Sequence, residues 1–137
     1  MTQKGKANVS RETFHVQHDA YAKIGKIGED ISVRYLIKKG HTIESRNTTH
    51  QHLELDVVTT FHGKRYLFEV KTVAREKIAQ ADISREMFAG TSRYSDKKHA
   101  NMTLGAHIVD ADVVMVLWVG LSLQDGKSYV HEFEPPL

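Results

Sequence analysis

Residues 53–73 read LELDVVTTFHGKRYLFEVKTV, which is two runs of strand-forming residues separated by His62-Gly63. Valine, threonine, tyrosine and phenylalanine favour strands, and a two-residue connection that ends in glycine is typical of a tight hairpin. The stretch therefore predicts an antiparallel pair of strands, Leu53–Phe61 and Lys64–Val73.

Both strands carry charged side chains where apolar ones are expected. Because side chains alternate along a strand, Glu69 and Lys71 share one face of the second strand, and Glu54 and Asp56 share one face of the first. In the hairpin, Asp56 comes within a few residues of lying opposite Glu69. Charges inside a sheet are costly unless they are paired or bound to metal, so we expect one of these two arrangements.

The other segments add helices and further strands around this hairpin. In chain order the patterns predict a helix over Asp19–Lys39 ended by Gly40, a strand over His41–Arg46, a polar loop over Asn47–His52, helices over Arg75–Ala89 and His99–Val109, and strands over Ala111–Gly120 and Lys127–Phe133. The apolar run 111–120 is typical of a strand buried on both faces. The predicted fold is α/β, a small mixed sheet flanked by α-helices.

Three features of the predicted elements concern packing. The apolar stripe of the first helix consists of Ile24, Ile27, Ile31 and Tyr35, widened by Val33, Leu36 and Ile37. Within the same helix, Gly25 and Gly28 suggest either a close approach of backbone to a neighbouring element or a shorter helix that begins near Ile27. We expect Trp118, in the apolar run, to lie in the core and not to stack on a base.

Length and composition limit the possible classes of protein. A chain of 137 residues suits one domain, which we place at residues 18–137 after a flexible arm at 1–17. The absence of cysteine excludes disulfides, thiolate zinc sites and thiol catalysis. No apolar stretch approaches the roughly 20 residues of a membrane span, and Met1–Val16 lacks the apolar core of a signal peptide. We therefore expect a cytoplasmic protein with no membrane association.

The charge is distributed unevenly along the chain. The net charge is +2, yet residues 1–50 and 61–100 are each basic, while residues 101–137 carry one lysine and five acids. Basic segments therefore flank the acidic strand, which suits either a nucleic-acid surface or an ordinary solvated one. The candidates for contacts to the DNA backbone are Arg46, Asn47, Arg75, Arg93, Lys97 and Lys98.

The acids and the lysine of the hairpin are suited to metal-assisted hydrolysis of a phosphodiester. A divalent cation lowers the pKa of an attacking water and stabilises developing charge. Mg²⁺, or Mn²⁺, prefers oxygen ligands, which Asp56, Glu69 and the carbonyl of Val70 supply. Lys71 is placed to orient or deprotonate the water, or to stabilise the transition state. The alternative is a cross-strand salt bridge without catalytic function.

Asp56, followed across a hairpin by Glu69-Val70-Lys71, resembles the PD-(D/E)XK nuclease superfamily. Over about Gly25–Val73 the chain is also similar to bacterial YraN-type proteins and archaeal-type Holliday junction resolvases. The residues that carry this second similarity are Gly28-Glu29, Tyr35-Leu36, Gly40, Arg46-Asn47 and Glu54-Leu55-Asp56. Leu55 stands where the superfamily motif has proline.

The resemblance implies a restriction-endonuclease-like fold and a role for each matched residue. It implies that Asp56 and Glu69 bind the metal, that Glu29 is a further acid of the metal site and that Lys71 is the catalytic lysine. Glu54 matches the acid before the motif aspartate. The implied protein is a homodimeric, Mg²⁺-dependent endonuclease that resolves Holliday junctions in DNA recombination and repair.

Other functions remain open at this point. A sequence-specific or mobile-element nuclease has the same fold and motif, because fold does not set the substrate. A DNA-binding or assembly module without turnover, or a purely structural network of carboxylates and lysine, also fits. The histidine pairs His15 with His18 and His50 with His52 lack further ligands at zinc-site spacing, so we expect them to be surface residues.

Overall fold

The computed structural model describes residues 17–84, 87–88 and 95–135, with side chains from residue 23 onward. Its elements are α1 (Gln17–Lys39), β1 (Thr42–His50), β2 (Leu53–Phe61), β3 (Lys64–Arg75), a 3-10 helix (Gln80–Asp82), α2 (Asp96–Val109), β4 (Val113–Ser122) and β5 (Ser128–Phe133). The strands form one sheet in the order β1-β2-β3-β4-β5. Strands β3 and β4 run parallel and the other neighbours antiparallel. This confirms the predicted mixed α/β sheet and is consistent with a restriction-endonuclease-like fold.

The hairpin that joins β2 to β3 has the predicted tight turn. His62 and Gly63 have φ angles of 51° and 78°, the positive values that a two-residue turn with right-handed strand twist requires. Phe61 pairs with Lys64 and Val57 pairs with Phe68. The turn thereby fixes which residues of the two strands face each other.

Helices cover both faces of the sheet. Leu67 and Phe68 are consecutive in β3 and point to opposite faces. Leu67 packs with Leu55 and with Ala106 of α2, whereas Phe68 packs with Leu36 of α1. In β4, Val116 and Trp118 belong to one core cluster and Leu117 to another, which confirms a strand buried on both faces. Trp118 is 4% exposed, so its predicted place in the core is also confirmed.

The buried face of α1 differs from the predicted stripe. Val33 and Leu36 are buried, but Ile27 and Ile37 are 47% and 56% exposed. The face toward β3 is centred on Gly28, where a Cβ would overlap the side chain of Thr72. The missing side chain, and not the isoleucine stripe, therefore sets how α1 rests on the sheet.

Substitution of Gly28 by alanine is expected to destabilise the fold by about 1–3 kcal/mol, because the new methyl group must displace Thr72. Gly25→Ala, in the same helix, is the matched control. A Cβ at Gly25 meets nothing within 4 Å, so alanine should stabilise the helix by about 0.5–1 kcal/mol. Urea unfolding of the two variants measures both free energies, and equal effects of the same sign would contradict the packing described for α1.

The largest differences from the predicted elements concern β1, the segment after β3 and the start of α2. Strand β1 continues to His50, so the polar loop predicted from Asn47 is part of a strand whose residues pair with β2 as far as Leu53. The helix predicted over Arg75–Ala89 is not present over residues 75–84, because Arg75 still pairs with Ser122 of β4 and the chain then turns into a 3-10 helix. Helix α2 begins at Asp96, three residues earlier than predicted.

Two further predictions concern the first residues and the membrane. The arm predicted over residues 1–17 lies outside the described residues, apart from Gln17, where α1 begins. In the described ranges, no helix has the length and apolar character needed to cross a membrane.

Candidate active site

The two carboxylates of the predicted metal site lie at the end of the paired region of β2 and β3. Val57 pairs with Phe68, so Asp56 and Glu69 come next in the two strands. The backbone N–H of Val70 donates to Oδ2 of Asp56, with 2.8 Å between nitrogen and oxygen. This bond holds the Asp56 side chain against β3, beside Glu69.

Glu69 is the centre of a group of charges. Nζ of Lys71 lies 3.3 Å from its Oε2, and Nζ of Lys98 lies 3.0 Å from the same atom. The Glu69 side chain is 11% exposed, and those of the two lysines are 28% and 29% exposed. The predicted convergence of Glu69 and Lys71 on one face is therefore correct, and Lys98 joins them from a different element.

Lys98 occupies the first turn of α2. Ser95 is the N-cap of this helix, and its side chain accepts a hydrogen bond from the backbone N–H of Lys98 at 3.2 Å. From the sequence, Lys98 is predicted to contact the DNA backbone, and the helix is predicted to begin only at His99. A serine followed by an aspartate is a common helix start, and that signal at Ser95-Asp96 marks Lys98 as a residue of the first turn.

Burial and neighbouring charges raise the pKa values of both Asp56 and Lys98, for different reasons. Burial, and next the negative charge of Glu69, raise the pKa of Asp56 to about 7. Burial disfavours the charged form of Lys98, but the neighbouring Glu69 carboxylate outweighs it and raises the Lys98 pKa above its ordinary value. Near neutral pH, Lys98 is therefore cationic while Asp56 is close to half-protonated.

This donor set fits a divalent cation. Burial, and next the negative charge of Glu69, make the ionised form of Asp56 unfavourable, and a bound cation would offset both effects. A cavity of about 160 Å³ opens beside Glu69, and Lys98 and Asn101 of α2 contribute to its lining. Asp56 and Glu69 would hold Mg²⁺ or Mn²⁺, with waters completing the coordination as is usual for Mg²⁺.

Glu29 is placed differently from Asp56 and Glu69. Its Oε1 accepts hydrogen bonds from Nε and Nη2 of Arg46, at 3.0 Å and 2.8 Å, and Arg46 also contacts Asp30. Throughout the described ranges, no three His, Asp or Glu side chains are grouped so that they could share a metal ion. The role of Glu29 as a further metal-site acid stays a prediction, as does a DNA contact by Arg46.

The remaining predicted site residues are spread over the surface. Asn47 is exposed within β1, with φ of 53°, and Arg75 and Lys97 are exposed at the end of β3 and on α2. Arg93 lies outside the described residues. Glu54 is exposed and borders the 160 Å³ cavity. Their proposed contacts with DNA, and the function of Glu54, remain predictions.

The histidine pairs do not build a site in the part that is described. His50 ends β1, and His52 is exposed in the turn that follows it. His15 and the side chain of His18 lie outside the described parts of the chain. The surface role of these histidine pairs stays a prediction.

Comparisons with known proteins identify similar chains. The family model described as "Uncharacterised protein family UPF0102" matches residues 28–116, a range that includes Glu29, Asp56, Glu69, Lys71 and Lys98. A UPF0102 protein of Clavibacter michiganensis is 33% identical over 105 residues, which cover 69% of this chain and 82% of that protein. A UPF0102 protein of Flavobacterium psychrophilum is 43% identical over 49 residues, 36% of this chain. Here the chain spans 41% of the length of the relative.

Proposed function

The chain belongs to the uncharacterised protein family UPF0102, and we propose that it is a metal-dependent endodeoxyribonuclease of the PD-(D/E)XK type. In this proposal Asp56 and Glu69 hold the metal ion, and Lys71 stabilises the negative charge that develops on the phosphate during hydrolysis. The resemblance of Asp56 and Glu69-Val70-Lys71 to the superfamily motif supports this assignment.

The environment of Asp56 supports the proposed function most strongly. In a structural salt bridge each carboxylate has its own cation, but Asp56 has no ion-pair partner among the described residues, and both Lys71 and Lys98 contact Glu69. Asp56 is buried beside another carboxylate, at a cost that shows in its pKa of about 7. Groups with such perturbed pKa values cluster at functional sites, and a cation between the two acids is the simplest compensation.

Each residue of the group has a separate task in this mechanism. When bound, Mg²⁺ would lower the pKa of a coordinated water and stabilise negative charge on the phosphate. The N–H of Val70 orients Asp56 toward Glu69. Lys98 remains protonated and fixes the Glu69 carboxylate through one oxygen. Lys71, on the same face as Glu69, places a cation where negative charge develops on the phosphate.

The similarity to archaeal-type Holliday junction resolvases supports a finer proposal about the substrate. It favours branched DNA, a homodimer with one site for each of two opposed strands, and a cytoplasmic function in recombination or repair. Basic segments on both sides of the acidic strand suit contacts with the DNA backbone, which position DNA without reading its sequence.

A cleavage assay on labelled four-way junction, linear duplex and single-stranded DNA, with Mg²⁺, Mn²⁺ or chelator, tests the proposal. We expect symmetric paired nicks in the junction, metal dependence and little cutting of plain duplex. Cleavage of duplex at one sequence would instead select a sequence-specific or mobile-element nuclease. Junction binding without metal-dependent cleavage of any substrate would leave a non-catalytic module and reject the enzyme. Sizing chromatography tests the dimer.

A further inference from the structure

A second cavity lies on the same face of the sheet as the candidate active site, and we propose that it binds a single nucleobase of the DNA strand held there. The inference rests on the proposed function and adds a binding subsite to it. The cavity has a volume of about 330 Å³, and its apolar wall consists of Val73, Ile78, Met87 and Trp118. Arg75, Lys77 and Asp82 add charged groups to its lining.

The position of this cavity follows from strand geometry. Along β3 the side chains of Lys71, Val73 and Arg75 share a face, since residues two apart point the same way. At about 3.3 Å per residue, Val73 lies roughly 7 Å beyond Lys71. Trp118 pairs with Lys71 across the parallel ladder, so the wall of the cavity adjoins the catalytic lysine. A nucleotide next to the reacting phosphate is within reach of this space.

The chemistry of the wall suits a heterocycle with hydrogen-bond acceptors. Trp118 is 4% exposed, and its Nε1 has no hydrogen-bond partner among the residues described. An unpaired buried donor is costly, so an acceptor that the cavity wall admits to Nε1 would be favoured. Nucleobases offer ring nitrogens and carbonyl oxygens at the edge of an apolar ring. Trp118 itself remains part of the core and is not a stacking platform.

The charged residues of the lining suit contacts with phosphates and a preference for one base over another. Arg75 and Lys77 are exposed and line the cavity, so they could contact the phosphates on either side of a bound base. Oδ2 of Asp82 accepts the backbone N–H of Ala79 at 2.8 Å, which fixes the carboxylate. A carboxylate accepts hydrogen bonds from the amino group of cytosine, whereas thymine has no such group. The cavity should therefore prefer cytosine to thymine.

The volume limits the ligand to one base. Ligand pockets usually measure about 300–1,000 Å³, so this cavity is at the small end and excludes a duplex. A base must leave its stack to enter, which costs least where DNA is branched or single-stranded. The subsite would thus favour branched substrates without reading an extended sequence.

Trp118 is the chain's single tryptophan, so its fluorescence reports on the cavity. The full chain, kept in chelator so that no cleavage occurs, is titrated with short oligo-deoxycytidine and oligo-deoxythymidine. We expect a saturable fluorescence change and about three- to tenfold tighter binding of oligo-deoxycytidine. Lys77→Glu should weaken binding about tenfold, while Lys64→Glu, at the opposite end of β3, should bind as the wild type does.

Asp82→Asn provides the sharper variant, because asparagine presents an amide donor beside the same backbone contact. It should shift the preference toward oligo-deoxythymidine. Circular dichroism is the control that checks the folding of Lys77→Glu, Lys64→Glu and Asp82→Asn. Binding by anisotropy of labelled oligonucleotide with no change in Trp118 fluorescence, or equal effects of Lys77→Glu and Lys64→Glu, would overturn the subsite. A saturable fluorescence change without metal-dependent cleavage would reject the proposed nuclease alone, and cleavage without that change would reject the subsite alone.

Discussion

Asp56→Asn is expected to abolish cleavage and, at the same time, to stabilise the metal-free protein. The carboxylate is buried beside Glu69, which raises its pKa to about 7, so ionisation in the folded state costs free energy. Asparagine keeps an oxygen that can accept the N–H of Val70 and removes the charge. A pKa shift from 3.8 to about 7 corresponds to at most about 4–5 kcal/mol, at about 1.4 kcal/mol per pKa unit. Because Asp56 is not fully buried, we expect a gain of about 2–4 kcal/mol in unfolding free energy at pH 8.

The pH dependence of this effect has a definite sign. The folded-state pKa lies above the ordinary value of 3.8, so between about pH 4 and pH 7 the folded chain holds a proton that the unfolded chain has released. The contribution of Asp56 to stability therefore falls as pH rises through this window and levels off above it. The stability difference between Asp56→Asn and wild type should consequently be small at pH 4 and largest near pH 8.

Chemical denaturation in chelator at several pH values measures this difference, with Glu54→Gln as the control. Glu54 is exposed on the same strand, so its variant should lie within about 0.5 kcal/mol of wild type. Added Mg²⁺ should stabilise wild type and not Asp56→Asn, because a ligand stabilises only the state that binds it. If Asp56→Asn is less stable than wild type at pH 8, Asp56 belongs to a structural network.

Glu69→Gln should also lose cleavage, by more than about a hundredfold, but with the opposite effect on stability. The carboxylate compensates two ammonium groups, at 3.0 Å and 3.3 Å, and its removal leaves Lys71 and Lys98 facing each other. Breaking a fully buried pair costs about 3–5 kcal/mol. Because the lysines are partly exposed, we expect a smaller loss of about 1–2 kcal/mol.

The same denaturation and cleavage assays compare Glu69→Gln with Asp56→Asn at pH 8. Both variants should bind junction DNA, since Arg75 and the exposed lysines are unchanged. Opposite shifts in stability together with the same loss of cleavage separate a functional carboxylate pair from a packing defect. Retention of cleavage by Glu69→Gln would contradict its assignment as a metal ligand.

Local signals in the sequence were sufficient for the hairpin and the order of elements. Strand propensity, alternation and the His62-Gly63 turn act over neighbouring residues, and these fixed the β2–β3 pairing that brings Asp56 to Glu69. The wrong helix at Arg75 shows the limit of such signals. Arg75 remains in β3 because it pairs with Ser122, a partner 47 positions away along the chain. Local propensity contains no information about such a partner.

Only part of the candidate site could be predicted, because local signals contain no information about contacts between distant elements. Glu69 and Lys71 are two residues apart on one strand, so alternation alone places them together. The contact of Lys98 with Glu69 depends on how α2 packs on the sheet, where Gly105 lies against Leu55 and Leu67. The pairing of Glu29 with Arg46 likewise joins α1 to β1. These contacts between elements are visible only in the folded structure.

In the proposed function, the Asp56–Glu69 pair supports metal-dependent hydrolysis of DNA. The most direct measurement is single-turnover cleavage of a labelled four-way junction by wild type and Asp56→Asn, purified in parallel, with Mg²⁺ and with chelator. The proposed function predicts product only for wild type with Mg²⁺, although both proteins bind the junction. Equal cleavage by the variant, or junction binding by wild type without any product in Mg²⁺ or Mn²⁺, would contradict it.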